Sequence, residues 1–190
     1  MEENDYRPVS YSRTTFTELM IPSYANFGGK IHGGILLSLM DKVAYACASR
    51  HTGMYCVTVS VDEVEFKAPV EVGDIVTLQA SINYVGRTSL VIGIRVVAED
   101  VKNRINRHTN TSYFTMVAKD NENKPVPVPG LILETPDDVR RFLEAIKRKA
   151  LKKSYKEELD NAKTSLTLAQ EIHFLNEERC LLSGDILKLL

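Results

Sequence analysis

The sequence predicts an α+β fold: an antiparallel sheet wrapped around a central helix, followed by a C-terminal helical extension. Three features carry that expectation. Four segments between residues 56 and 119 alternate apolar and polar side chains and are joined by short connections; one strongly apolar helix precedes them; and from Asn121 the chain turns to prolines, then to Lys- and Glu-rich helical sequence. Strands joined by tight turns pair antiparallel. A single apolar helix beside a single sheet buries both apolar surfaces only by packing as a layer upon it.

The first strand is expected over 8–20, rich in Thr and Tyr and ending at Met20-Ile21-Pro22. A helix follows over 33–50, where Ile35, Leu36, Leu39, Val43 and Cys47 recur at helical spacing. Residues 56–66 alternate, with Val57, Val59 and Val61 on one face and Thr58, Ser60 and Asp62 on the other. Pro69 and Gly73 then mark a turn. Strands over 75–85 and 88–102 present Val76, Leu78, Ala80 and Ile82, then Leu90, Ile92, Ile94 and Val96; a last strand spans 110–119. Three prolines within 125–129 forbid regular structure. Thr135-Pro136-Asp137-Asp138 has the form of a helix start, with a capping hydroxyl, proline at the first position and acids facing the dipole. That helix is expected to continue through Lys149, with another over 154–182. The chain thus divides into a domain over 1–134 and an extension over 135–190.

Composition narrows the function classes. Lys and Arg total 24 against 25 Asp and Glu, a formal charge of −1 that gives no basis for nonspecific binding to nucleic acid or an anionic membrane. Apolar runs stop short of the roughly 18 residues of a membrane span. The start, MEENDYRPVS, is acidic and polar rather than a secretory signal. Cys47, Cys56 and Cys180 are odd in number and, like the four histidines, lack metal-ligand spacing. No metal is expected, and the cysteines read as free thiols of a reducing, cytoplasmic compartment.

The chemistry concentrates between Asn26 and Asp41. There a glycine-rich turn, Gly28-Gly29-Lys30-Ile31-His32-Gly33-Gly34, enters the apolar helix and Asp41 sits two turns inside it. Glycines at a helix start leave N–H groups free for an anion or a carbonyl oxygen. A carboxylate among apolar neighbours supplies a base or nucleophile. At about 100° per residue, Asp41 shares its side with Gly34, Leu37, Ser38, Ala44, Tyr45 and Ala48. That side is too apolar for water, and a second copy of the chain is the simplest cover. The plainer alternative makes Asp41 a solvated residue paired with Lys42 or Arg50. Gly33 and Asp41 stand roughly 12 Å apart along one helix, too far to meet one reacting carbonyl. Antiparallel helices of two protomers would bring them together.

The Asn26 to Asp41 stretch resembles the motif of the hotdog-fold acyl-CoA thioesterases, the acyl-CoA hydrolase family. Thr58-Val59-Ser60-Val61-Asp62 with Phe66, Pro69-Val70 with Gly73-Asp74, and Thr88-Ser89 fit the same family, and Pro127-Val128-Pro129 with Glu134-Thr135 is similar to the end of the cytosolic animal enzymes. The likeness covers about residues 8–148. It implies a hotdog fold and hydrolysis of acyl-CoA, with Asp41 as the catalytic carboxylate and Asn26 orienting water or the thioester. It also implies a homodimer at minimum, and by analogy with bacterial relatives a hexamer built as a trimer of dimers.

Within that frame the N–H of Gly33 or Gly34 would form the oxyanion site facing the partner's Asp41, acting as general base or as nucleophile. Coenzyme A enters as part of the substrate, with no separate cofactor. Its phosphates call for basic or N–H-rich loops, for which Gly86, Arg87, Thr88 and Ser89 are the first candidates, then Lys102, with Arg104 and Arg107 beside it. His32 suits proton transfer but equally a structural role. Two other readings stay open: a hotdog dehydratase or hydratase, and a non-catalytic acyl-CoA sensor whose tail engages a partner.

Overall fold

The computed structural model describes residues 6–187. Its main sheet is antiparallel, in the order β2 (Thr14–Leu19), β4 (Ile75–Val85), β5 (Ser89–Asp100), β6 (Ile105–Lys119) and β3 (Tyr55–Val61). Val76, Leu78, Ala80, Ile82, Leu90, Ile92, Ile94 and Val96 are all buried, so the alternation read from the sequence sets the inner face of β4 and β5. Against that face lies helix α2 (Gly33–Thr52), burying Leu36, Leu39, Met40, Val43, Ala44, Cys47 and Ala48. Gly53 ends the helix in the left-handed region (φ 71°), its N–H returning to the Ser49 carbonyl at 2.8 Å.

Several expectations change. The span 8–20 is not one strand. β1 (Tyr6–Pro8) and a helical turn, α1 (Val9–Ser12), precede β2, and β1 pairs in parallel with β7 (Gly130–Ile132) across more than a hundred residues. Long-range pairing of this kind leaves no local signal. β6 begins five residues earlier than expected. β3 ends at Val61, and its valine face is turned outward: Val59 and Val61 are exposed. Ala44 and Ala48 are buried rather than on the side of Asp41, because the buried arc of α2 is wider than the stripe first assigned.

The boundary between two compact units falls between Ile146 and Lys147. Helix α3 spans Pro136–Ser165 without the break expected near residue 150. Ala150-Leu151-Lys152-Lys153 are strong helix formers and contain no Gly or Pro. The helix stops at Ser165, and short turns, α4 (Leu168–Glu171), a 3₁₀ segment (Ile172–Glu177) and α5 (Gly184–Leu187), replace the rest of the second helix expected over 154–182. In the first unit the opening turns of α3 pack against the outer face of the sheet, with Phe142 5.2 Å from the Tyr84 ring and Arg141 bonded to Ser81. In the second unit most described side chains are exposed. Among the described residues no helix is long and apolar enough to cross a membrane.

Candidate active site

The approach to α2 is built around two side chains. Asn26 Oδ1 accepts from the N–H of Gly28 at 2.8 Å and of Lys30 at 3.2 Å, while its main-chain N–H reaches the Lys30 carbonyl at 2.7 Å. The carbonyl end of this amide is therefore spent on the turn, and its NH₂ group is the part free to face a substrate. His32 caps the helix: its Nδ1 accepts from the Gly34 N–H at 2.9 Å. That bond fixes the structural role of His32 and withdraws the Gly34 N–H from any other partner. Of the two glycine amides expected to receive an oxyanion, only that of Gly33 has no acceptor among the described residues. The Phe66 ring stands about 3.4 Å from where a Gly33 Cβ would be, an ordinary contact distance, so the ring lies directly over this end of the helix.

Asp41 pairs with neither Lys42 nor Arg50. Its Oδ1 accepts a 2.6 Å hydrogen bond from the Thr58 hydroxyl on β3. Sequence reasoning gave Thr58 no role in the chemistry. The signal available was its place on the polar side of a strand whose valines turn outward. Between α2 and β3 lies a cavity of about 580 Å³ bordered by Asp41, Thr58, Tyr45, Tyr55, Phe16 and Met116. The Tyr45 and Tyr55 rings are 6.2 Å apart and tilted. Neither Asn26 nor Gly33 borders this cavity, so one chain brings Asp41 to Thr58 but does not bring Asn26 or the glycines to Asp41. In the single chain this side of the helix is open, with Leu37, Asp41 and Tyr45 exposed.

The candidates for binding coenzyme A separate into two places. Gly86, Arg87, Thr88 and Ser89 form the β4–β5 turn, tied by Gly86 N–H to the Ser89 carbonyl at 2.7 Å. The register Thr58–Met116–Leu90 sets that turn level with Thr58, two strands or about 10 Å across the sheet. Arg87 is exposed there. Lys102 lies in the β5–β6 turn at the other end of a 12-residue strand, more than about 30 Å away, so one chain does not gather it with the others. Arg107 is engaged elsewhere, paired with the buried Asp74 carboxylate.

Other titratable groups of the core serve packing. Cys47 is buried on the helix stripe, and burial pushes its thiol up to about 12, far from a nucleophile's range. His51 is buried, with Nε2 3.1 Å from the Pro129 carbonyl and Nδ1 3.4 Å from the Ser12 hydroxyl. Burial holds it below the ordinary histidine value. No group of three or more His, Cys, Asp or Glu suited to a metal occurs among the described residues.

Comparison with known proteins fits this geometry. A profile of the thioesterase superfamily matches residues 28–104. Protein VdlD of Helicobacter pylori is 50% identical over 134 residues, 70% of this chain and 76% of that protein. The uncharacterized acyl-CoA thioester hydrolase YkhA of Bacillus subtilis is 31% identical over 82% of this chain and 91% of its own. Among solved structures, an apo hexameric acyl-CoA thioesterase superposes with a TM-score of 0.77 at 35% identity, over 80% of this chain and 97% of that one. The acyl-CoA hydrolase of Staphylococcus aureus, solved with butyryl coenzyme A, coenzyme A and coenzyme A disulfide, gives 0.75 at 28% identity over 90% and 99%. Variants of that protein carry alanine in place of an asparagine, an aspartate or a threonine, at the same spacings as Asn26, Asp41 and Thr58 here.

Proposed function

This chain belongs to the thioesterase superfamily as an acyl-CoA thioester hydrolase, and from that premise we propose that it cleaves acyl-CoA to free fatty acid and coenzyme A at sites shared between two copies of itself. The observation that carries this reading is the 2.6 Å bond from Thr58 to Asp41 at the mouth of an apolar-walled cavity. A hydroxyl donating to Oδ1 fixes the carboxylate plane and leaves Oδ2 to take a proton.

In this mechanism Oδ2 of Asp41 removes a proton from a water as that water attacks the thioester carbonyl carbon. The carbonyl π electrons move to oxygen, where the Gly33 N–H of the facing protomer, at the positive end of its helix, meets the developing charge. The Asn26 NH₂ group donates to the same oxygen or to the attacking water. Collapse of the tetrahedral intermediate breaks the C–S bond, and the proton held by Asp41 passes to the leaving thiolate. Attack by Asp41 itself, through a mixed anhydride, is the alternative. Arg87, Thr88 and Ser89 would meet the phosphates of the coenzyme A portion, which enters with the substrate; no separate cofactor takes part. The acyl chain would occupy the cavity beside Tyr45 and Tyr55. A cytoplasmic enzyme, dimeric at minimum and assembled further as in the hexameric relative, accords with free thiols and with the exposed apolar edge of β3.

Co-expression of Asp41→Asn with Asn26→Ala chains tests the shared site. Each variant alone should be inactive in a thiol-release assay. Random pairing of the two should restore roughly a quarter of wild-type activity, since half the dimers are mixed and one of their two sites is intact. Failure of the mixture to exceed either parent would place both residues in one chain's site and end the proposal.

A further inference from the structure

The turn that carries Asn26 is exposed from Asn26 to Lys30, and Gly29 within it lies in the left-handed region (φ 75°). Glycine-rich backbone facing water keeps little order of its own. An amide that must meet a reacting group within a fraction of an ångström therefore needs a support from elsewhere in the fold. Residues 70–74, the turn that leads into β4, supply one. Lys30 forms an isolated antiparallel bridge with Glu71, and the Ile31 N–H donates to the Val70 carbonyl at 2.9 Å. Lys30 Nζ reaches Glu71 Oε1 at 2.5 Å. Ile31 and Val70 are both buried, which roots this bridge in the core.

Asp74 holds that support in turn. Its side chain is 3% exposed, and its Oδ2 accepts from the Glu71 N–H at 2.8 Å and from Arg107 Nη2 on β6 at 2.5 Å. The Met20 N–H donates to the Asp74 carbonyl at 2.9 Å and the Gly73 N–H to the Met20 carbonyl at 2.7 Å, which seats the same turn against the end of β2. Arg107 Nε is buried with no hydrogen-bond partner among the described residues. A buried ion pair with a donor left over gains little stability, because desolvation cancels most of the attraction. What it fixes is geometry. From Arg107 the connection runs through the Asp74 carboxylate to Glu71, from Glu71 to Lys30, and from the Lys30 N–H to Asn26 Oδ1 at 3.2 Å. We propose that Asp74 and Arg107 are positioning residues for Asn26, acting through the Glu71–Lys30 pair to hold the amide that meets the substrate. The inference rests on the reading that the Asn26 NH₂ group donates in the reaction.

Hydrogen–deuterium exchange of the full chain reads the support without reference to activity, and thiol-release kinetics read its consequence. In Asp74→Asn the N–H groups of Gly28 and Lys30, both bonded to Asn26 Oδ1, should exchange about tenfold faster, while those of Leu39–Cys47 in α2 keep the wild-type rates. In the same variant kcat should fall by about tenfold with KM changed by less than about twofold. Glu71→Gln, at a partly exposed position that puts the fold at little risk, should act in the same direction and more weakly. The double exchange Lys30→Glu with Glu71→Lys should recover the kcat and the protection that Lys30→Glu alone loses. If Asp74→Asn quickens exchange along α2 as well, the fold itself has loosened, and Glu71→Gln and the double exchange decide. Unaltered exchange at Gly28 and Lys30, or no recovery in the double exchange, would overturn the proposal. So would an unchanged kcat in variants whose turn exchanges faster, given an inactive Asn26→Ala. An active Asn26→Ala would overturn the role of Asn26 itself, which separates the two failures.

Discussion

Asp41 illustrates how little a residue's identity says until its partner is known. The sequence placed a carboxylate on an apolar helix; the structure supplies the hydroxyl that orients it. On the proposed mechanism Asp41→Asn keeps the shape of the side chain and removes the base, so kcat should fall by about 10²–10⁴ with little change in KM. Thr58→Val keeps the β-branched shape of the strand residue and deletes the donor. A drop in kcat of about tenfold, with an unchanged melting temperature, is expected from a thiol-release assay; an unaltered kcat would deny Thr58 its orienting role. His51 offers a separate prediction at this scale. Its folded value lies below the ordinary histidine value, chiefly through burial, so the unfolded chain takes up the proton first as pH falls. Stability from this group is complete above about pH 6.5 and declines as pH drops from there toward the folded value. Urea midpoints measured between pH 7.5 and 5 should show this decline, and His51→Gln should flatten it. Asp137 and Asp138 act in a lower window, since both carboxylates are held below their ordinary value. For Asp137 the main cause is the Arg140 bond; for Asp138 the bonds from Thr135 and Arg13 outweigh its burial.

Among elements, α3 shows a start that was legible and an end that was not. The Thr135 hydroxyl accepts from the Asp138 N–H at 3.1 Å, and the Asp138 carboxylate accepts in return from the Thr135 N–H at 3.1 Å and its hydroxyl at 2.8 Å. This reciprocal cap is the physical content of the Thr-Pro-Asp-Asp signal. Thr135→Ala should cost about 1 kcal/mol in chemical denaturation, and an unchanged midpoint would mean that the tertiary contacts of Asp138 alone hold the helix start. The helix C-terminus has no glycine to stop it. Its length follows from an unbroken run of helix formers, and only the coordinates locate Ser165 as the last residue. Strands β4 and β5 were nearly complete in the sequence because strict alternation has one solution when one face is buried. β1 and β7 were invisible because three residues carry no periodicity and their pairing is nonlocal.

At the scale of the molecule, β3 is the edge of the main sheet next to Asp41 and presents Tyr55, Val59 and Val61 to the outside. Exposed apolar edge strands invite pairing, and on the reading above a second copy of this chain meets that edge. Val59→Lys should lower the mass measured by light scattering toward that of one chain and remove thioesterase activity with it. A variant that becomes monomeric while keeping full activity would separate assembly from catalysis. Phe27, fully exposed beside Asn26, lies on the same turn that would have to reach a neighbour.

By itself the sequence determined the helix that carries Asp41, the glycine turn before it, the inner face of β4 and β5 and the family resemblance. Each of these rests on local periodicity, on the backbone needs of glycine or on a motif contiguous in the chain. Only the tertiary structure decided that Thr58 holds Asp41, that His32 takes the Gly34 amide and leaves Gly33, that Lys102 and Arg87 lie at opposite ends of β5, and that Asp74 joins Arg107 to Glu71 beside the Asn26 turn. Those facts depend on which distant segments share a register or a face. Strand pairing and helix docking are settled by how much apolar surface the whole chain can bury together, a quantity that no short window of residues contains.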